Sequence, residues 1–345
     1  MRKSIPSMFG YVSLSLALFA AVAPSAYAGS TLDAVKARGS LKCGVASGGS
    51  VGFMAPDSKG EWQGFNVEIC RAIAAALFDD PKKVEFVPVT SQSRFTALQS
   101  GEIDILSNNV TNTLVRDTQL GFNFAPTVFY DGQGFLVPTK LRVEGPSGLN
   151  GATVCVQPGT TTELNVADYF RKLGMTFTPV VIESLDEIRS AYFSGRCDVL
   201  TSDRSSLAST RTLAPNPTEH VVLPVVISKE PLGPTVRQGD DQWAGVVRWS
   251  VNALIQAEEY GITSKNVDQM SGGTDPGIKR FLGVTAGLGA AIGLTDKWAY
   301  NIVKSVGNYG EIYDKNLGPD TPLGLPRGVN SLWTKGGLLY TPPFR

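Results

Sequence analysis

The stretch Gly101-Glu102-Ile103-Asp104-Ile105-Leu106-Ser107-Asn108-Asn109-Val110-Thr111-Asn112-Thr113-Leu114-Val115-Arg116 decides how this chain of 345 residues is read. Its glycine stops a helix, and 103–106 reads as a short apolar strand. Past the strand come the amides, hydroxyls and guanidinium of Asn109, Thr111, Thr113 and Arg116. Open α/β sheets bind ligands beyond the carboxyl ends of their strands. An Arg beside hydroxyls suits a carboxylate, because its planar fork can meet both oxygens. The same residues would equally make an ordinary solvated loop.

Part of this stretch occurs twice. Ala97-x-x-Ser100-Gly101-x-x-Asp104-Ile105-Leu106 returns as Ala191-x-x-Ser194-Gly195-x-x-Asp198-Val199-Leu200, at a constant offset of 94 residues from Gly101 to Gly195. The same offset takes Asn109 to Asp203. Each half then has a helix, a glycine stop, a strand and a polar residue past the strand end. One half brings a cation and the other a carboxylate. Two such lobes face to face would grip a zwitterion such as an amino acid. Helix, glycine and strand form a common unit, so a chance match stays open.

The remaining sequence sets limits. Arg2 and Lys3, an apolar run to about Ala23 and the triplet Ala26-Tyr27-Ala28 read as a signal peptide cleaved after Ala28. No cysteine follows that site, which argues against a lipid anchor; an uncleaved membrane anchor is the other reading. No later stretch is apolar and long enough to span a bilayer. The rest suffices for two lobes. Without Arg2 and Lys3 there are 29 basic residues against 31 acidic ones. That balance argues against nucleic acid and against a polybasic membrane contact. Cys43, Cys70, Cys155 and Cys197 allow three pairings. Their spacing suits no zinc site, and His220 is the single histidine. Each predicted lobe holds two cysteines on predicted strands or the adjoining helix, which favours 43–70 and 155–197; buried free thiols are the alternative. No metal or cofactor is expected.

In chain order, a short helix at 32–38 precedes a strand at 41–46 and the loop Ser47-Gly48-Gly49-Ser50, whose backbone could approach a ligand closely. Asn66 is the expected N-cap of a helix at 67–78. A strand at 84–89 leads to a polar loop and to a helix opened by Arg94. Residues 117–124 read as irregular, and 128–138 as the first crossing between lobes. A strand at 153–156 is followed by Gly159-Thr160-Thr161-Thr162-Glu163, a helix start that favours an anion and also fits a capping box from Thr160 to Glu163. A strand, a helix at 185–193 and a strand at 199–201 lead to Asp203, which is also a candidate cap for the helix after it. Residues 221–227 form the second crossing. A long helix at 243–259 follows, and the Gly- and Pro-rich remainder from Gly283 is expected to wrap lobe 1.

Several motifs together resemble the periplasmic solute-binding proteins of polar amino acid ABC transporters, above all the general L-amino acid-binding proteins. Gly64-Phe65-Asn66-Val67-Glu68 is similar to the family's G-F-D-V-D helix opening. Asp131-Gly132-Gln133-Gly134-Phe135, Ser194-Gly195-Arg196-Cys197-Asp198-Val199, Ser228-Lys229-Glu230-Pro231-Leu232-Gly233-Pro234 and Leu325-Pro326-Arg327-Gly328 resemble its hinge, second lobe and C-terminus. The match covers essentially the whole exported chain. It implies a type II periplasmic binding protein fold with two crossing segments. Lobe 1 is then 29–134 plus 227–345, and lobe 2 is 135–226. Arg116 and Thr111, with Asn109 beside them, would meet the ligand's α-carboxylate, helped by Thr160 or Thr161. Asp203 would accept from its ammonium. Thr90-Ser91-Gln92-Ser93-Arg94 resembles the T-S-Q-N-R of glutamate- and aspartate-binding members, which puts Ser91 and Arg94 on the ligand side chain. Where close relatives read S-R-N-T-T-W-T, this chain has Ser107-Asn108-Asn109-Val110-Thr111-Asn112-Thr113, without the cation and the aromatic. The resemblance implies a monomer that takes Gln, Glu, Asn or Asp to an ABC permease. An enzyme on the same fold, similar to the cyclohexadienyl dehydratases, and a sensor or chemotaxis adaptor are the alternatives.

Overall fold

The computed structural model describes Met1 and residues 31–345; the expected signal peptide, 1–28, otherwise lies outside them. Two five-stranded sheets organise the chain. The first runs Val84–Val89, Leu41–Ala46, Ile105–Leu106, Thr235–Arg237, Phe122–Phe124. The second runs Thr178–Val181, Thr153–Val156, Val199–Asp203, Gln133–Pro138, His220–Val222. In both, the first three strands are parallel and the fourth is antiparallel to its two neighbours. That fourth strand always enters from the other half of the molecule. The two sheets therefore share one topology, and this is what the sequence repeat records.

The repeated aspartates have a structural task. Asp104 Oδ2 accepts from the Lys42 N–H, and Asp198 Oδ2 from the Thr153 N–H, both at 2.8 Å. Each aspartate also donates its own N–H to the carbonyl of that same residue. Both therefore clamp the third strand of a sheet, at its amino end, to the second. The disulfides add to this frame: Cys43 pairs with Cys70 and Cys155 with Cys197, as the sequence favours.

The side chains of Gln133–Pro138 alternate between two apolar clusters. Phe135 and Val137 join Val154 and Phe170, while Leu136 joins Cys155 and Tyr192. A sheet covered on both faces requires this pattern. In the first half, helices Phe65–Phe78 and Asp241–Glu259 share one core with the C-terminal residues Trp298, Ile302, Tyr309 and Tyr313. The C-terminal part packs on this core through helices, Trp298–Val306 and Tyr309–Asn316.

Two expectations are corrected. Asn66 does not cap its helix; the cap is Gly64, at φ 127°, and Asn66 lies buried inside the first turn. A Cβ at Gly64 would come within 2.4 Å of the Phe53 backbone. The chain passes Phe53 so closely that the carbonyls of Gly52 and Phe53 take the first helical N–H groups. Residues 117–124 are not irregular. They contain the end of helix Leu114–Thr118 and the edge strand Phe122–Phe124, whose pairing partner lies more than a hundred residues away in sequence.

The chain crosses between the sheets twice. Phe129–Asp131 pairs antiparallel with Glu230–Leu232, and Asp131 stands opposite Glu230. These two short strands join the halves side by side, which is the geometry of a hinge.

Candidate functional site

A cavity of about 90 Å³ lies between the carboxyl ends of the two sheets. One water needs about 10–15 Å³ on this scale, so the space suits a small solute. Arg94, Asn109 and Thr111 line it from the first half, and Thr160, Thr161 and Asp203 from the second. A side chamber of about 60 Å³ opens past Arg94, and Ser91 lines it. The two spaces share Ala46, Arg94, Asn108, Gln157, Thr160 and Leu185. Of the eight residues expected at the site, only Arg116 lines neither.

Arg116 sits one layer back. It is 6% exposed, its Nη1 donates to the Thr111 carbonyl at 2.9 Å, and its Cζ lies 5.0 Å from the centre of the Phe95 ring. Thr113, part of the opening polar stretch, is the N-cap of the helix carrying Arg116 and accepts from its N–H. Arg94 shares the Phe95 ring at 4.8 Å and is equally buried. Its Nε has no partner. Burial, and then the positive charge of Arg116, hold the Arg94 guanidinium down to about 9, with Asp203 opposing. A buried cation so poorly paired is costly unless an anion meets it.

Asp203 is its counterpart across the cavity. It occupies the N-cap position of helix Arg204–Thr212, yet its side chain makes no cap bond. Asp131 of the first crossing takes the Ser205 N–H instead, at 3.2 Å, and so leaves Asp203 free for the cavity. Burial, then the carboxylates of Asp131 and Glu230, push the Asp203 carboxyl well above its usual range, against the pull of Arg94 and Arg116. A carboxylate held at this cost is stabilised by a cation placed beside it.

The threonines divide their work. Thr160 caps helix Thr161–Lys172 by accepting from the Glu163 N–H, while Glu163 Oε2 accepts from the Gly159 N–H. The first N–H groups of that helix remain open for an anion. Thr111 Oγ1 and Thr161 Oγ1 both donate to Glu230 Oε2, at 2.6 and 3.0 Å. A hydroxyl carries one proton, so neither can also donate to a ligand in this arrangement. Ser228 and Asn165 donate to the other oxygen of Glu230, at 2.5 and 2.9 Å. Glu230 thereby ties the hinge to both halves. Asn109, at φ 45°, is held by the Asn66 amide, whose Nδ2 donates to Asn109 Oδ1 at 2.7 Å.

Two residues here were not picked out in the sequence. Glu230 stands in the Ser228–Pro234 motif, which was read only for its resemblance. Arg189 gives no local signal: it lies on helix Leu185–Phe193, lines the cavity, and is buried because the opposite half covers it.

Two lobes of one topology, a double crossing and a charged cavity between them define the class of two-lobe ligand-binding proteins. The family model of the bacterial extracellular solute-binding proteins, family 3, matches residues 41–266, and the chain belongs to that family. It is 55% identical over 327 residues to the general L-amino acid-binding periplasmic protein AapJ of Rhizobium johnstonii, covering 94% of this chain and 96% of the relative. Identity is 49% to the glutamate/glutamine/aspartate/asparagine-binding protein BztA of Rhodobacter capsulatus, over the full length of both. Among solved structures, an ABC transporter periplasmic binding protein from Brucella ovis with glutathione bound superposes with a TM-score of 0.90 at 53% identity, covering 92% of this chain and all of that one.

Proposed function

We propose that this chain is the amino-acid-binding component of an ABC importer, working as a monomer in the periplasm after loss of residues 1–28. Lobe 1, taken as 29–134 plus 227–345, and lobe 2, taken as 135–226, close on an L-amino acid and present it to a permease. The observation that carries this reading is the opposed pair in the cavity: Arg94 with an unpartnered Nε, and Asp203 released from its cap. The ligand's ammonium meets Asp203. Its α-carboxylate meets the free N–H groups at Thr161 and Thr162, with the field of Arg116 behind Thr111. Arg94 takes an oxygen of the side chain, helped by Ser91. The dehydratase alternative requires a proton donor or acceptor on the substrate. His220 does not serve, since it sits on an outer strand with Nδ1 2.9 Å from the Tyr192 hydroxyl.

A thermal-shift screen of the common L-amino acids tests the reading, because a ligand that binds only the folded state raises its melting temperature. Gln and Asn are expected to stabilise at least as much as Glu and Asp, with other polar amino acids weaker. A strict preference for a basic or large apolar amino acid would overturn the pocket assignment. The side chamber favours a second ligand class, a γ-glutamyl peptide, whose amino-acid head would occupy the main cavity and whose tail would pass Arg94. The Brucella ovis neighbour carries glutathione, which is a γ-glutamyl peptide. Glutathione in the same screen decides between them: competition with glutamate supports the larger ligand, and no shift removes it.

A further inference from the structure

Arg189 reaches across the cleft. It belongs to helix Leu185–Phe193 in the second half, yet its Nη1 donates to the Gly48 carbonyl at 3.0 Å and its Nη2 to the Gly49 carbonyl at 2.7 Å, both in the first half. Asp186, one turn earlier, lies 3.4 Å from Nη1 and steers the guanidinium. The two glycines sit at φ 81° and 65°, a conformation that turns successive carbonyls toward one donor at little cost only when side chains are missing. A Cβ on Gly48 would also stand 3.0 Å from the Asp186 carboxylate. Arg189 is 6% exposed, its Nε has no partner, and it lines the cavity.

We propose that Arg189 is the latch of the closed state, gripping the Gly48–Gly49 turn and completing one wall of the ligand site as the lobes meet. Neither half contains this contact alone, so it forms only on closure. Opening returns the guanidinium and both carbonyls to water, which keeps the latch reversible. The ligand and the latch then act on one equilibrium: whatever favours closure raises affinity and slows release. The inference rests on the binding reading only for its second half, that the cavity holds a ligand.

A cysteine trap tests it without any ligand. Ser50 Oγ and Ser209 Oγ face each other across the halves at 3.2 Å, so Ser50→Cys with Ser209→Cys should crosslink only in the closed state. Adding Arg189→Ala should slow crosslinking of the ligand-free chain by about 10- to 100-fold, the loss of two hydrogen bonds to a charged group less the desolvation regained. Arg189→Lys, which can reach one carbonyl, should fall between. In the chain without the trap, Arg189→Ala should speed release of a bound amino acid. Equal crosslinking rates with Arg and Ala would overturn the latch, even if the amino acid still binds. A chain that binds no amino acid would instead overturn the ligand reading and leave the crosslinking comparison valid.

Discussion

Replacing Arg94 by Met should make the empty protein more stable and a worse receptor. Met keeps most of the side-chain volume and can stay on the Phe95 ring, but it carries no charge. In the closed cleft the guanidinium is 6% exposed, lacks a partner at Nε and faces the positive Arg116. Held down to about 9 while remaining charged, it costs the closed fold roughly 2–5 kcal/mol. Removing that cost should raise the melting temperature of the ligand-free chain by several degrees in scanning calorimetry. With ligand the sign reverses. A desolvated charge pair with a glutamate side chain is worth roughly 2–5 kcal/mol, so the affinity for Glu should fall by about two to three decades. Gln loses only a hydrogen bond to a charged donor, so its affinity should fall by about one to two decades. Titration calorimetry of both ligands on both proteins gives the comparison. Equal losses for Glu and Gln would mean that Arg94 does not read the side chain. A lower melting temperature of the ligand-free variant would refute the claim that its guanidinium is under-partnered.

Three further outcomes follow from the same site and frame. Asp203→Asn removes the counter-charge for the ligand ammonium and should weaken binding by about two decades or more, measured by titration; an affinity within about threefold of the parent would discard the ammonium role. Burial and the carboxylates of Asp131 and Glu230 raise the Asp203 carboxyl, so its protonated form contributes stability that is fully present below the ordinary carboxyl range and is lost as pH rises through the raised value. A ligand ammonium reverses the shift, so binding between those limits should release a proton; the binding enthalpy should then vary with the ionisation heat of the buffer, and buffer-independent heats would contradict it. The disulfides close loops with sequence separations of 27 and 42 residues, so breaking either pair by Cys→Ala should cost about 3–4 kcal/mol in reversible unfolding; titratable thiols in the unfolded, unreduced protein would refute the pairing.

The frame was legible where sequence and structure share a local cause. The repeat around Asp104 and Asp198 was visible because the same strand clamp is built twice. The Thr160 cap was visible because capping depends on neighbours in sequence, although the Glu163 side chain takes the Gly159 N–H and not that of Thr160, so the box is only half formed. Phe122–Phe124 was not, since a three-residue edge strand owes its existence to a distant partner. Asn66 misled for the opposite reason: its residue type suits a cap, but the close passage past Phe53 makes Gly64 the start. In the site, residue types gave Asp203 and Arg94 their place on a cavity. They did not reveal that Arg116 stands behind Thr111, or that Glu230 takes the hydroxyls of Thr111 and Thr161. Those arrangements depend on both halves meeting, as does the burial of Arg189, and no single stretch of chain encodes them.

The claim at the centre is that the cleft grips a zwitterion, one charge from each half. Titration calorimetry of the chain, refolded free of any carried-over ligand, with L-glutamine, L-glutamate and the deaminated dicarboxylate glutarate tests it most directly. The account expects one-site binding of the two amino acids and a loss of about 100-fold or more for glutarate, which leaves Asp203 without its cation. Glutarate binding as tightly as L-glutamate, or no heat from either amino acid, would contradict it.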